Sequence, residues 1–335
     1  MQVIVHGGAG GVPDDPAPRQ AVLDDAAATG AAADSPLDAV EAAVNVLEAD
    51  PRFNAGRGGA VQSDGVVRTD AGVMTDDRRV GAAAGMPGVR DAVSVARAVL
   101  AETPHVLLAG RGAVDFAETV GVDTDCGLLT DETRARWTDA DAPADADAGA
   151  QLDWLRSRFG ETTADPSGDA AGRDASGSPS TASGLSSRDD DPGEGESTSV
   201  ESTARDDDVH DHDTVGAVAR RGEAFAAATS TGGRWFALAG RVGDVPQVGS
   251  GFYCAPAGGA SATGAGEDIA RVTLARRAVG HLEAGADAPT AADRAIAEFG
   301  ELTGSSAGVI VCGREGAGSA YNSGGMQTSV ATDSG

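Results

Sequence analysis

Apolar and polar positions alternate in short steps at some points of the chain and recur at helical spacing at others. Thr214–Arg220 and Ala224–Ser230 are small, partly β-branched runs separated by Gly222-Glu223, a pair that suits a two-residue hairpin turn with glycine first. Such a turn sets Thr214 directly opposite Thr231. Gln2–Val5 reads as a buried strand and His6–Gly10 as a glycine-rich loop. Ser35-Pro36-Leu37-Asp38 is a helix start, with a serine cap and proline in the first turn, and Leu37, Val40, Val44 and Leu47 then form a stripe for packing on a sheet.

Phe53–Gly58 is a tight bend, followed by a second hairpin signal, Ala60–Gln62 and Val66–Thr69 around Ser63-Asp64-Gly65. Helices are predicted at Asp91–Glu102, Thr130–Trp137 and Leu152–Phe159, and a short strand at Val106–Ala109. Further on, Val272, Ala275, Val279 and Leu282 mark one face of a single helix. A capping signal at Thr290–Asp293 opens another, carrying Ile296 and Phe299. Val309–Cys312 and Ser319–Asn322 make a closing hairpin. Locally paired strands alternating with groups of helices predict an α/β fold of layers with antiparallel sheets.

One stretch breaks this pattern. Between Gly160 and Val209 the only sizeable apolar residues are Leu185, Val200 and Val209, set among Asp, Ser, Gly, Thr and Pro. Too little surface can be buried there to offset the entropy of ordering, so a disordered acidic linker is expected over 160–213. It would divide residues 1–159 from 214–335.

Charge sharpens the picture. There are 52 acidic residues against 25 basic ones, a net −27, and every basic residue is arginine. Self-repulsion of this size is tolerated where salt screens it, which predicts a protein from a salt-rich cytosol. No basic patch is available for nucleic acid. Cys126, Cys254 and Cys312 are odd in number and far apart, which points to free, mostly buried thiols and argues against a disulfide framework or a zinc site. No apolar run is long enough to span a membrane and no secretory pattern opens the chain, so a cytoplasmic location is expected.

Candidate chemistry gathers near Thr214. A threonine hydroxyl is a poor nucleophile without a base, but a threonine that begins a chain can use its own α-amine, whose ordinary pKa is about 8. The bland alternative is a threonine that opens a strand. His6 reads as structural. Arg241 and Asp244 could form a simple loop ion pair. Thr263–Glu267 (TGAGE) could suggest phosphate binding, but no P-loop lysine or dinucleotide spacing accompanies it.

Seven segments taken in order resemble the plant-type L-asparaginase and isoaspartyl peptidase family of N-terminal-nucleophile (Ntn) hydrolases. They are VHGGAG at 5–10, FNAG at 53–56, DTVGAVA at 213–219, TSTGG at 229–233, GRVGD at 240–244, TGAGE at 263–267 and YNSGGM at 321–326. The resemblance implies a four-layer αββα sandwich made as a precursor that cuts itself between Asp213 and Thr214. The two chains would stay together, normally as a homodimer of αβ units. It further implies Thr214 as nucleophile and Thr231 as the group holding its hydroxyl and amine in register. Thr263 and Gly264 would form the oxyanion hole, Arg241 would take the substrate α-carboxylate, and Asp244 its α-ammonium. Asn54 would support the nucleophile. A structural sodium ion on backbone carbonyls of Leu47, Glu48, Asp50, Phe53, Ala55 and Arg57 is also implied, with no catalytic metal or organic cofactor. The substrates would be small: L-asparagine and β-aspartyl dipeptides.

Two departures bear on substrate choice. His212-Asp213 precedes the nucleophile where asparaginases of the family usually have glycine, as in the related glycosylasparaginases. Those enzymes, however, typically carry Asn where this chain has Gly232. The segment Asp70–Asp76 also strays from the family's usual Met-Asp-Gly ending. A glycosylasparaginase and, from another class, a non-catalytic acidic binding protein stay open as alternatives.

Overall fold

The computed structural model describes residues 1–143, 147–159 and 214–333; the expected linker and the residue preceding Thr214 lie outside the described residues. The first strand, β1 (Gln2–Gly10), runs straight through the stretch expected to be a loop, and its pairing shifts register between His6 and Ala9. The irregularity anticipated from the glycines is therefore a bulge inside a strand. Helices α1 (Pro16–Ala31) and α2 (Pro36–Ala49) follow, with the Ser35 hydroxyl accepting the Asp38 N–H as predicted. The second expected hairpin shrinks to one bridge, Val61 to Val67, because Arg68 already starts β2 (Arg68–Thr75), which leaves to join a larger sheet.

Next come β3 (Val80–Pro87), α3 (Ala92–Glu102), β4 (Leu107–Ala109), α4 (Gly110–Thr119), α5 (Asp131–Asp139) and α6 (Ala148–Phe159). From Thr214 onwards lie β5 (Val215–Arg221), β6 (Ala224–Thr231), β7 (Phe252–Ala255) and β8 (Gly258–Gly264). The single helix expected around Val272–Leu282 is two, α7 (Gly266–Val272) and α8 (Leu274–Glu283), broken where Thr273 takes a left-handed backbone (φ 54°). In α9 (Ala288–Thr303) the cap is Asp287, three residues before the expected Thr290. The chain closes with β9 (Ala307–Gly313), β10 (Gly316–Tyr321) and β11 (Gly325–Thr332).

Among the described residues the strands form a seven-stranded sheet, β11-β1-β5-β6-β2-β3-β4, and a four-stranded sheet, β10-β9-β8-β7. All pairings are antiparallel except β3 with β4, so the larger sheet is mixed rather than purely antiparallel. Helices α1 to α4 cover its outer face, and α8 and α9 cover the smaller sheet.

Three apolar layers hold these four together. Leu23, Val40, Val44 and Leu47 fill the outer layer of the larger sheet, while Leu274, Val279 and Phe299 fill that of the smaller one. Between the sheets lie Ile4, Val218, Phe225, Phe252 and Ile310. Much of the remaining core is alanine, which lets helices and sheets approach closely. The architecture is the αββα sandwich of an α/β fold.

Candidate active site

The site begins as a matter of register. Strands β5 and β6 pair as the hairpin predicts, Val215 with Ser230 and Arg221 with Ala224, and Gly222 supplies the positive φ (62°) of the turn. One step further out, Thr214 faces Thr231 with the hydroxyl oxygens 3.4 Å apart, longer than a settled O–H···O bond. Both residues are buried. On the other side of β6, Asp70 of β2 lies opposite Thr231. Residues directly opposite share a sheet face, so Thr214, Thr231 and Asp70 stand in a row across three strands. Thr229, two residues back on β6, hydrogen-bonds Ser261 of the smaller sheet at 2.6 Å, which identifies that face as the one between the sheets.

Asn54 ties the end of β6 to the bend at Phe53–Gly59. Its Nδ2 donates to the Gly233 carbonyl (2.7 Å), its Oδ1 accepts from Ala60 N–H (2.7 Å), and its own carbonyl accepts from Gly232 N–H (2.8 Å). The Thr231 hydroxyl accepts from Gly233 N–H at 3.1 Å. This approach is so close that a Cβ at Gly232 would lie 2.4 Å from Gly59 Cα and 2.7 Å from Asn54 Oδ1.

The cleft at this end of the sheets is lined by Asn54, Thr214, Thr231, Arg241, Asp244 and Gly264, six of the sequence-predicted positions. Thr263, beside Gly264 at the end of β8, is fully buried, and its hydroxyl accepts a 3.3 Å bond from Ala9 N–H of β1. Gly266 also lines the cleft, where a Cβ would crowd Asp244 Oδ1 at 2.7 Å and Arg241 Nη2 at 2.9 Å.

Electrostatics divide the charged groups. Arg241 holds Glu267 in a two-pronged pair, Nε to Oε1 at 2.8 Å and Nη2 to Oε2 at 2.9 Å. Burial works against the Glu267 charge, but the arginine fork prevails and draws its pKa down to about 2. Asp244 behaves oppositely. Burial pushes its carboxyl up to about 7 despite Arg241, and its Oδ2 has no hydrogen-bond partner among the described residues. Burial likewise raises Asp70 to about 7, although Gly85 N–H donates to it at 2.6 Å and Arg241 opposes the shift. His6 is neutral, held down at about 3 by burial, with Nε2 2.8 Å from the Ser261 hydroxyl.

Glu267 and Asp70 were not singled out by sequence reasoning. Glu267 appeared only as the end of the TGAGE run, and Asp70 only as the start of a divergent segment. Nothing local revealed that both face Arg241.

The loop implied to hold sodium offers carbonyl oxygens, three of which accept N–H bonds within it: Asp50 to Leu47 at 3.3 Å, Phe53 to Asp50 at 3.3 Å and Arg57 to Glu48 at 2.9 Å. Each carbonyl keeps a second lone pair, so the donor set suits a hard cation. Among the described residues no cluster of three or more His, Cys, Asp or Glu could hold a metal.

The comparisons with known proteins identify the family. A family model described as "Asparaginase" matches residues 1–335. The chain is 34% identical to a plant-type L-asparaginase of Pyrococcus abyssi over 309 residues, covering 88% of this chain and 84% of the relative. It is 35% identical to a plant-type L-asparaginase of Pyrobaculum calidifontis, covering 93% and 91%. It is 32% identical to an isoaspartyl peptidase/L-asparaginase of Danio rerio, covering 94% and 86%. The family match makes the chain a hydrolase, and its α/β fold is consistent with the Ntn class. The chain belongs to the asparaginase family.

Proposed function

We propose that the protein is an autoprocessing amidohydrolase that converts L-asparagine to L-aspartate and ammonia and also cleaves β-aspartyl dipeptides. The observation that carries this reading is the pairing of Thr214 with Thr231 at the mouth of a cleft that also holds Arg241 and the partnerless Asp244 oxygen.

Maturation begins with the Thr214 hydroxyl oxygen attacking the Asp213 carbonyl carbon. The peptide C–N bond breaks, the nitrogen keeps its own hydrogen and takes up the hydroxyl proton to become the new α-amine, and water hydrolyses the resulting ester to leave the Asp213 carboxylate. In turnover that amine takes the Thr214 hydroxyl proton as the oxygen attacks the side-chain carbonyl of asparagine. The proton passes to the leaving nitrogen, ammonia departs, and water then cleaves the β-aspartyl ester, regenerating the hydroxyl.

Thr231 holds the Thr214 hydroxyl, and Asn54 holds the chain that leaves Thr231. The Thr263 hydroxyl and Gly264 N–H stabilise the oxyanion, each such donor being worth about 3–4 kcal/mol in the transition state. Two of the five Arg241 N–H groups serve Glu267, and the remaining three can take the substrate α-carboxylate. A buried carboxylate oxygen without a donor, as in Asp244, suits the α-ammonium.

The glycosylasparaginase alternative is disfavoured by the space at Gly232, where an asparagine side chain would strike Gly59 and Asn54. A sodium ion on the Leu47–Arg57 carbonyls would stiffen the bend that carries Asn54. We assign the working form to a homodimer of αβ units in a salt-rich cytoplasm, on the resemblance and the net charge of −27. No helix of the described residues is long and apolar enough to cross a membrane.

The test is mass and N-terminal sequencing of the mature protein, followed by ammonia release from asparagine and aspartate release from a β-aspartyl dipeptide in molar salt. A second terminus at Thr-Val-Gly-Ala is expected, and an active protein lacking it would refute the scheme. Preference for a glycosylated asparagine would favour the alternative enzyme.

A further inference from the structure

The chain has three tryptophans, and all belong to one aromatic cluster beside the Gly232–Asp244 loop. At its centre is Phe236, a bulky residue with φ 58°, a backbone conformation that such side chains rarely adopt unless their surroundings impose it. Trp137 of α5 stacks on it at 6.1 Å between ring centroids. Trp154 of α6 meets it edge-on at 5.6 Å, and Trp235 lies at 5.5 Å. Arg158 of α6 sits over the Phe236 ring at 4.6 Å, and Arg136 of α5 over Trp235 at 4.2 Å.

The backbone of the same loop is held by hydrogen bonds from the other half of the chain. Phe236 N–H donates to the Val61 carbonyl at 2.8 Å, and Ser63 N–H donates to the Ala237 carbonyl at 2.8 Å. The Ser63 hydroxyl accepts from Ala239 N–H (2.9 Å) and donates to Gln151 Oε1 of α6 (2.7 Å). Gln62 receives Gly240 N–H at 2.9 Å and donates to the Arg241 carbonyl at 3.0 Å.

Of these supports Gln62 reaches the Arg241 backbone, and the others hold the loop just before it. We propose that α5 and α6 act as a buttress, with Trp154 and Gln151 as positioning residues that fix the height of the Arg241 loop and so set affinity for the substrate's α-carboxylate. This rests on the functional reading above, because it assumes that Arg241 receives that carboxylate. The ends of the loop differ in what anchors them. Its start is pinned to the end of β6 by Asn54 of the Phe53–Gly59 bend, whereas its middle is held by residues 61–63 and by side chains carried by α5 and α6. Loosening those helices lets Arg241 follow its partner Glu267 and leaves Thr214 unmoved.

The experiment uses the full-length protein carrying Trp154→Ala, Trp154→Phe or Gln151→Ala. Both alanine variants should mature to two chains as the parent does. Their KM for asparagine should rise, about tenfold for Trp154→Ala, with kcat within about threefold. Trp154→Phe, which keeps an aromatic edge, should restore KM to near the parent value. Because all tryptophans lie in the cluster, titrating the parent with L-aspartate should shift its intrinsic emission, and the shift should weaken in Gln151→Ala. If Trp154→Ala does not fold, Gln151→Ala decides alone. Unchanged KM in a folded variant, or an emission spectrum indifferent to aspartate, overturns the buttress. A parent that matures but hydrolyses neither substrate removes the functional reading instead, and the emission titration then still tests the loop.

Discussion

The proposed nucleophile and the proposed substrate clamp line one cleft but are built by different means. Thr214 and Thr231 are held by a ladder of backbone bonds in the middle of a seven-stranded sheet, where a shift of one residue would turn every side chain to the other face. Arg241 and Asp244 sit on irregular backbone held by Gln62, Ser63, Glu267 and an aromatic cluster. On the proposed reading, reaction geometry would be fixed by register, which tolerates no intermediate states. Substrate affinity would be fixed by side-chain contacts, which can be graded one at a time. Such a division lets substrate preference change while the nucleophile stays in place.

The contrast can be broken most severely at the ladder end. Thr214→Ala should leave the precursor uncut and lower activity by about 10⁴-fold or more, since neither the nucleophile nor its amine would form. A two-chain pattern on a denaturing gel of that variant would defeat the assignment. On the clamp side the effect should be smaller and of another kind. Arg241→Ala should mature normally yet raise KM about 100-fold, the scale of losing a charge-assisted two-pronged bond. Steady-state kinetics with an unchanged KM would place the carboxylate elsewhere.

The smallest expected effect concerns Asp70, which stands between the two regions. Burial raises Asp70 and Asp244 to about 7, above their unfolded values near 4. Between those limits the folded protein holds more protons than the unfolded chain, so stability from these groups falls as pH rises from about 4 to about 7 and is flat beyond. The charge of Asp70 also adds to the rise of Asp244, so the two titrations are linked. Asp70→Asn removes one member. Its stability relative to the parent should improve between pH 5 and pH 8, on the order of 2 kcal/mol, measured by urea unfolding at constant salt. A difference independent of pH would show that Asp70 does not titrate in that window.

The ladder was legible in the sequence and the clamp only in part, for physical reasons. A two-residue turn fixes pairing by local chemistry alone, so Gly222-Glu223 sufficed to align Thr214 with Thr231. The Ser35 cap was readable for the same reason. Strands β3 and β8 were missed because runs such as VGAAAGMP and GGASATG carry few β-branched or aromatic residues. Their strand form comes from burial between layers. The break at Thr273 is a tertiary effect, and the residues flanking it still follow helical spacing. Arg241 and Asp244 were named through a family resemblance, but Glu267, which pairs with Arg241, lies 26 positions from it and meets it only through folding.

The order of the larger sheet would give the proposed chain scission a lasting consequence. Strand β1 lies between β11 and β5, and β6 lies between β5 and β2, so the segments before and after residue 213 are interleaved like fingers of two hands. Once the covalent tie is cut, neither polypeptide can leave without opening the sheet on both sides. Neither, if denatured, can rebuild it without meeting its former other half at random in solution. An enzyme so made would depend for its lifetime on a high barrier to opening rather than on the ease of recovery.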